Sequence, residues 1–228
     1  MAQASKLWYL ENFNLFENLE MNKMEELGSM TTMKDIPKNQ PIYFAHEPST
    51  SIFFLKEGRV KLTRTDASGK EMILTLVKPG EVFGELSILD ENERNDYAIA
   101  IDKCLICAIS KNDFKNFIEK NPGLNLKITR LIGLRLKKYS ERIEELVFKD
   151  APQRIISFLL SLCEESGKKI GDEYFVKPFL KHQDIAELTA CSRQTVNAIL
   201  TDLREQNLID FDRRNLIIRK KFELEKML

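Results

Sequence analysis

Hydrogen-bonding side chains cluster near the carboxyl end, at the start of a helical pattern. Arg193, Gln194 and Asn197 follow Ser192 and lie away from the apolar positions of that pattern. Guanidinium and amide groups can bond base edges in the major groove of DNA, and the serine hydroxyl can cap the free N–H groups of a first helical turn. These residues therefore predict a helix with a polar leading edge that reads DNA. Its apolar face comprises Val196, Ile199, Leu200 and Leu203.

A second, shorter helical pattern precedes this one. It carries apolar residues at Ile185, Ala186 and Leu188, and a tight turn at 190–192 joins the two patterns. Spacing alone leaves an ordinary helical hairpin open, because any two amphipathic helices with a short connection share it. Two β-rich runs follow, at 208–211 and 216–218, and the turn between them contains two arginines. A wing of this kind adds phosphate contacts, so the sequence favours a winged helix-turn-helix.

Residues 181–218 resemble the DNA-binding domain of the CRP/FNR family of bacterial transcription regulators. The run from Cys191 to Val196 and the later Leu203 and 206–209 carry the resemblance. It implies that Arg193 contacts guanine and that Gln194 reads a base. A second base-reading arginine of the family is replaced here by Ala198, which implies a different operator sequence.

The predicted DNA-binding set combines the residues above with positions that the resemblance assigns to phosphate contacts. Lys181 joins the set because its charge would lie at the groove-facing edge. The set is Lys181, Gln183, Ser192, Arg193, Gln194, Thr195 and Asn197.

The first 120 residues have a different pattern of short apolar runs separated by glycine and proline turn signals. The runs lie at 41–44, 52–55, 60–62, 72–77 and 98–101. Many short strands at such spacing predict an antiparallel β-roll of the jelly-roll kind, and Ser68-Gly69 marks a hairpin within it. Helical patterns at Glu11–Met30 and Lys111–Lys120 would flank the roll.

Residues 79–101, here called the cassette, resemble the phosphate-binding segment of cyclic-nucleotide-binding domains. Gly84 leaves room for backbone N–H groups to approach a phosphate, Glu85 can accept a hydrogen bond from a ribose hydroxyl, and Arg94 can pair with a cyclic phosphate. The resemblance also implies that two residues of a later helix approach the nucleotide. The predicted effector set is Gly84, Glu85, Leu86, Arg94, Asn95, Tyr139 and Ser140.

The cassette departs from the family pattern after Arg94. Asn95 and Asp96 stand where nucleotide-binding members carry Ser or Thr and then Ala, and Asp96 adds negative charge beside the expected phosphate. A purely structural alternative is that Glu85 and Arg94 pair with each other in an empty roll. Cyclic AMP is therefore one candidate effector, and another effector or none remain open; no other cofactor is predicted.

A long helical pattern links the two regions. Its apolar residues recur every three or four positions, as in a coiled coil, and we call this line the seam. A helix packed on its own roll is the alternative, but Leu131, Leu134 and Val147 form a second apolar edge that could serve the roll. The sequence thus predicts a homodimer, as the resemblance also implies. The seam residues are Ile128, Ile132, Leu136, Tyr139, Ile143 and Leu146.

Composition and motifs exclude several other classes of protein. Lys and Arg together number 35, equal to Asp and Glu, so strong non-specific affinity for nucleic acid is not predicted. No apolar run approaches the about 20 residues of a membrane helix, and no secretion signal opens the chain, so we expect a cytoplasmic protein without membrane contact. His46 and His182 are far apart and no catalytic motif is present, which argues against an enzyme.

Cys104 and Cys107 form a C-x-x-C motif, but their segment alternates as a strand. Residues three apart then lie on opposite faces, which argues against a metal site.

The expected fold class is α+β, with an N-terminal antiparallel β-roll, a long dimerisation helix and a C-terminal winged helix-turn-helix. We assign residues 1–121 to an effector domain, 122–149 to the dimerisation helix and 150–228 to the DNA-binding domain. Expected partners are double-stranded DNA, a second copy of the chain and RNA polymerase.

Overall fold

The structure is a computed structural model that describes residues 13, 15–17, 19–89 and 92–228. The chain divides into two compact units, 1–135 and 136–228, which are described separately below. The helices of the described residues are α1 Met21–Met30, α2 Lys111–Lys120, α3 Gly123–Phe148, α4 Ala151–Ser166, α5 His182–Thr189, α6 Arg193–Glu205 and α7 Lys221–Glu225, with a 3-10 helix at Glu85–Leu89.

Within the part of the chain that the structure describes, the strands form three antiparallel sheets of four strands each. They are β1 Thr31–Ile36, β2 Pro41–Tyr43, β3 Ser51–Glu57, β4 Val60–Thr65, β5 Glu71–Val77, β6 Val82–Phe83, β7 Tyr97–Ala100, β8 Cys104–Ser110, β9 Lys168–Ile170, β10 Glu173–Val176, β11 Ile209–Phe211 and β12 Leu216–Ile218. The first unit contains sheets β1-β8-β3-β6 and β2-β7-β4-β5, and the second contains β11-β12-β10-β9. This arrangement confirms the predicted α+β class with its antiparallel roll. The hairpin at Ser68-Gly69 is also confirmed, since β4 pairs with β5 and Gly69 has φ +85°.

The alternation of side chains along a strand builds two separate cores in the first unit. Phe53 of β3 enters the core between the two sheets, where it stacks on Phe83 with 5.1 Å between ring centroids. Its neighbour Phe54 enters the core on the opposite face, beside Phe16 and Phe114. Neighbouring aromatic residues of β3 therefore contribute to both cores, one inside the roll and one between the roll and its flanking segments.

Strand β8 separates the two cysteines of the C-x-x-C motif as expected. Cys104 lies in the core between the sheets, whereas Cys107 lies in the core on the opposite face. Both cysteines are buried, and neither forms a disulfide bond within the described residues.

The flanking helices differ from the sequence expectation in two places. Helix α1 begins at Met21, after a turn at residues 15–17, and the rest of the predicted Glu11–Met30 helix lies partly outside the described residues. Along α3, Ile128 of the seam packs on the roll core together with Leu131. Leu134 and Val147 were expected to face the roll, but they are 54% and 67% exposed. This assignment was wrong because helical period fixes which residues share a face and not what that face meets.

Helix α4 begins with a capping box. The Asp150 carboxylate accepts a hydrogen bond from the backbone N–H of Gln153 at 2.9 Å, and the Gln153 side chain accepts from the backbone N–H of Asp150. The reciprocal bonds satisfy two otherwise unpaired donors at the helix start. Sheet β11-β12-β10-β9 contains the predicted wing pair, since β11 and β12 are antiparallel neighbours. Strands β9 and β10 were not predicted.

Candidate nucleic-acid interface and effector cassette

The start of α6 has the geometry that its capping signal predicts. The Ser192 hydroxyl accepts a hydrogen bond from the Thr195 backbone N–H at 3.0 Å, which satisfies one of the free donors of the first turn. The side chains of Arg193 and Gln194 follow the cap and are both exposed. Val196 and Leu200, in contrast, are completely buried. The helix thus presents a guanidinium and an amide outward while its opposite face anchors it to the unit.

The turn before α6 is fixed by backbone geometry and by one arginine. Ala190 has φ +52° and ψ 42°, the left-handed conformation, which ends α5 and turns the chain toward Ser192. The Arg154 guanidinium, from α4, donates to the carbonyl oxygens of Thr189 at 2.9 Å and of Lys149 at 2.8 Å. These bonds tie the end of α5 to the start of α4, so the position of α6 depends on contacts made well away from its exposed edge.

The other predicted DNA-binding residues lie at the start of α5 and in the first turns of α6. Lys181 is exposed at the N-cap of α5, and Gln183 is exposed in the first turn of that helix, where its amide donates to Glu187 at 2.9 Å. The Thr195 hydroxyl lies 2.8 Å from that of Ser192. Asn197 is exposed and forms a hydrogen bond with His182, a pairing that the sequence analysis did not anticipate.

The wing turn at residues 212–215 is organised by one carboxylate. Asp212 accepts hydrogen bonds from the backbone N–H groups of Arg214 at 2.6 Å and Asn215 at 2.8 Å, and from the Asn215 amide at 2.8 Å. Because each donor favours the ionised carboxylate, the pKa of Asp212 is lowered from its ordinary value. Arg213 and Arg214 are exposed on this turn. Two cations therefore stand at the tip of the wing.

Arg219, directly after β12, forms its ion pairs within the sheet β11-β12-β10-β9, here called the wing sheet. Its guanidinium donates to Asp210 at 2.9 Å, lies 3.7 Å from Glu173 and also contacts Asn207. Two carboxylates thus balance its charge within the wing sheet, and its role there is to join β10 to β11.

In the cassette, Arg94 points into the roll. Its side chain is 5% exposed, and its terminal nitrogens donate to the carbonyl oxygens of Gly84, at 3.1 Å, and Ser51. The guanidinium carbon lies 4.3 Å above the ring of Tyr43, a cation–π contact. Gly84 has φ +71°, and a Cβ there would come within 2.7 Å of Arg94 Nη1. The space beside Gly84 is thus filled by the arginine itself.

Asp96 lies at the same place with the opposite charge. Its carboxylate accepts a hydrogen bond from the Tyr43 hydroxyl at 3.1 Å. Burial, aided by the nearby charge of Glu85, raises the pKa of Asp96 against the opposing effect of the tyrosine bond. Burial also raises the pKa of Tyr43, and the charge of Asp96 raises it further. The tyrosine therefore stays neutral while it joins the arginine to the aspartate.

Glu85 pairs with an arginine other than Arg94. Its carboxylate, which is 6% exposed, forms an ion pair with Arg135 of α3, and Arg135 also donates to the Val82 carbonyl at 2.8 Å. The alternative in which Glu85 and Arg94 pair with each other is thus not observed. No local sequence signal marks Arg135, because fifty positions separate it from Glu85.

The cassette residues do not fit a cyclic phosphate. The terminal nitrogens of Arg94 are already bonded to carbonyl oxygens, and the Asp96 carboxylate adds negative charge beside them. A phosphate anion would have to replace the carbonyl oxygens as the partner of Arg94, and it would be repelled by the charge of Asp96.

The remaining predicted effector residues are more accessible or lie elsewhere. Leu86 is 41% exposed, and Asn95 is exposed with its carbonyl accepting from Arg64 at 3.0 Å. Tyr139 and Ser140 lie on α3 within the second unit.

Comparison with known proteins agrees with this architecture. Residues 33–121 match the family model of the cyclic nucleotide-binding domain, and residues 153–227 match that of the Crp-like helix-turn-helix domain. A CRP-like cAMP-activated global transcriptional regulator of Mycobacterium tuberculosis is 27% identical over 92% of this chain and 93% of its own. The global nitrogen regulator of a Nostoc species is 31% identical over 83% of this chain and 86% of its own.

Solved structures share the fold. A mutant of CooA from Carboxydothermus hydrogenoformans aligns with a TM-score of 0.76 at 22% identity, over 87% of this chain and 88% of that chain. FixK2 from Bradyrhizobium japonicum aligns with the same score at 20% identity, over 86% and 96% of the two chains. A β-roll of the cyclic-nucleotide-binding type joined to a Crp-like helix-turn-helix defines a transcription regulator and not an enzyme. The chain belongs to the CRP/FNR family.

Within the described residues, no helix has the length and apolar character required to cross a membrane.

Proposed function

We propose that this regulator binds specific DNA sequences through the exposed edge of α6. The observation that carries the proposal is the exposure of Arg193 and Gln194 directly after the Ser192 cap. An arginine in this position can donate two hydrogen bonds to the acceptors of guanine, and a glutamine can bond an adjacent base. Lys181 and the wing arginines Arg213 and Arg214 supply positive charge for phosphates beside the groove.

The regulator acts as a homodimer on a palindromic site. Leu136 and Ile143 of the seam are 64% and 62% exposed, which is unusual for large apolar residues on one helical line. A second copy of α3 would cover them by coiled-coil packing. A symmetric dimer then carries two copies of α6, which read half-sites about one turn of DNA apart. In this proposal residues 1–121 form the effector domain, residues 122–149 the dimerisation helix and residues 150–228 the DNA-binding domain. RNA polymerase is a further partner at the promoter, in the cytoplasm where bacterial DNA lies.

DNA binding does not require a cyclic nucleotide. The contacts of Arg94 and Asp96 support this, since they engage the guanidinium that would bind a phosphate and hold a carboxyl group near it. The β-roll then stabilises the dimer or responds to another signal. Control by cyclic AMP is the second candidate, and the identity to cAMP-activated relatives favours it.

Selection of bound sites from a pool of randomised DNA duplexes tests the main proposal. The full-length protein should enrich a palindrome, and Arg193→Ala should weaken binding to it by about 10- to 100-fold, because a bidentate contact to guanine contributes about 1–3 kcal/mol. Arg130→Ala, which removes an exposed arginine in the first unit, is the matched control and should bind normally. Unchanged operator binding by Arg193→Ala would contradict the proposal.

Whether DNA binding depends on cyclic AMP is tested by measuring the affinity of the protein for the selected duplex with and without the nucleotide. Equal affinities are expected. A tenfold or larger gain with the nucleotide would instead establish the cAMP-dependent alternative.

A further inference from the structure

His182 and Asn197 join the two helices of the helix-turn-helix through their side chains. His182 begins α5 and Asn197 lies in the second turn of α6, where the Nδ1 atom of the imidazole forms a hydrogen bond with the Oδ1 atom of the amide. An amide oxygen can only accept, so the imidazole carries its hydrogen on Nδ1. Asn197 is exposed and stands one helical turn after Arg193, on the same side of α6. The pair therefore lies at the edge that meets DNA in the proposed function.

The imidazole is itself fixed by the wing. The ring of Phe211, on β11, meets the His182 ring edge-to-face with 5.4 Å between centroids. The Phe211 ring also contacts Arg204 of α6, whose guanidinium carbon lies 3.6 Å from the ring centroid. Arg204 also pairs with Asp210 at 3.1 Å and donates to the Phe211 carbonyl. This line of contacts limits the rotation of His182, so the hydrogen on Nδ1 has one direction to point.

The bond decides which atoms of Asn197 remain for a ligand. A free asparagine presents both an acceptor and donors, and with both it recognises the N6 amino group and N7 of adenine. In this structure the acceptor Oδ1 is engaged by His182, so the donor Nδ2 is the amide atom that this bond leaves for a ligand. An N–H donor suits a base edge that has acceptors, and guanine has two on its major-groove edge, O6 and N7.

We infer that His182 is a positioning residue that turns Asn197 into a donor-only reader of guanine. The inference rests on the proposed function, because it assigns a base to one residue of the same DNA-reading edge. In the absence of His182 the amide could rotate, and Asn197 would then recognise adenine, as asparagines commonly do.

Selection from randomised duplexes tests this with the full-length protein and three variants. Comparison of the wild type with Asn197→Ala identifies the base pair whose preference depends on Asn197, and guanine is expected there. In His182→Ala the preference for guanine over adenine at that pair should fall by about tenfold, the loss of one good contact. His182→Asn, which offers an amide N–H near the position of Nδ1, should restore the preference. A merely structural role of His182 would lower affinity without changing which base is preferred.

The matched control is His46→Ala, which removes the other histidine, exposed in the first unit, and should leave the preference unchanged. The double variant His182→Ala with Asn197→Ala should lose no more affinity than Asn197→Ala alone, because His182 acts through Asn197. The inference is overturned if His182→Ala keeps the guanine preference, or if Asn197→Ala weakens all sequences equally, as a phosphate contact would. If the wild type enriches no sequence, the proposed function itself fails; if enrichment occurs and His182 has no effect, only this inference fails.

Discussion

At the scale of single residues, the carboxyl group of Asp96 alters the surroundings of Arg94 in the cassette. Arg94 matches the arginine of the nucleotide-binding cassettes that residues 79–101 resemble, and its guanidinium could pair with a phosphate. Here that guanidinium donates to two carbonyl oxygens. Asp96 and Tyr43 complete the arrangement through a hydrogen bond of 3.1 Å. When the Asp96 carboxyl group is ionised, it supplies near the guanidinium a counter-charge that a bound anion would otherwise supply.

The pKa of Asp96 gives a test of this arrangement. Because burial raises its pKa in the folded protein, the folded state binds this proton more tightly than the unfolded chain does. Its contribution to stability is therefore complete below the unfolded pKa of about 4 and is lost as the pH rises through the raised folded pKa. Asp96→Asn removes the titration and keeps an oxygen that can accept from Tyr43. Thermal unfolding of both proteins should show the stability of the variant gaining on that of the wild type as the pH rises from about 4 toward neutrality. A difference in unfolding midpoint that stays constant over this range would contradict the assigned burial.

The residues differ in how far the sequence could reveal them. The Ser192 cap and the exposure of Arg193 depend on neighbours within a few positions, so their pattern could be read directly. The ion pair of Glu85 with Arg135 joins positions fifty residues apart. Such a pairing depends on the path of the folded chain, which residue types and spacing do not contain. The contact of His182 with Asn197 is hidden for the same reason.

At the scale of elements, the turn between α5 and α6 carries a conformational cost. Ala190 occupies the left-handed region, which costs a residue with a side chain about 1–2 kcal/mol, whereas glycine adopts it freely. The α5 helix nevertheless ends there, because the backbone N–H of Ala190 bonds the Ala186 carbonyl and Arg154 bonds the Thr189 carbonyl. The tertiary contacts thus outweigh an unfavourable backbone.

Ala190→Gly should accordingly stabilise the protein. The relief of strain exceeds the extra entropy that glycine gives the unfolded chain, so we expect a net gain of up to about 1 kcal/mol. Ala198→Gly is the matched control, since Ala198 is exposed within α6 and the same change should cost about 1 kcal/mol there. Thermal unfolding midpoints of the two variants should shift in opposite directions. A lower midpoint for Ala190→Gly would show that the left-handed turn carries no strain.

Elements whose signal is periodic and long were the most accessible to sequence analysis. Helix α3 and the runs that became β3 and β5 were identified, whereas β9 and β10 were missed. Strand β9 consists of three exposed residues with no apolar alternation, so it became a strand only by pairing with β10. The helical period also could not tell that Ile128 packs on the roll while Leu134 is exposed.

At the scale of the whole molecule, the proposed homodimer depends on the seam of α3. Leu136→Glu combined with Ile143→Glu places two charges where a second α3 would pack, and charge in an apolar interface opposes association. Sedimentation velocity at micromolar concentration should show a dimer for the wild type and a monomer for this variant. Leu126→Glu is the control, because Leu126 is 77% exposed on the same helix outside the seam. A wild-type protein that sediments as a monomer would contradict the proposed dimer.

Strand β9 is an edge strand of the wing sheet, and its composition bears on whether the protein aggregates. An edge strand has backbone N–H and carbonyl groups on its outer side that can pair with a strand of another chain, which is a first step in aggregation. Lys168 and Lys169 lie in β9, and Lys169 lies 5.9 Å from the ring centre of Tyr174. A strand that paired with β9 would have to desolvate two ammonium groups. This cost disfavours the addition of a further strand at the edge of the wing sheet.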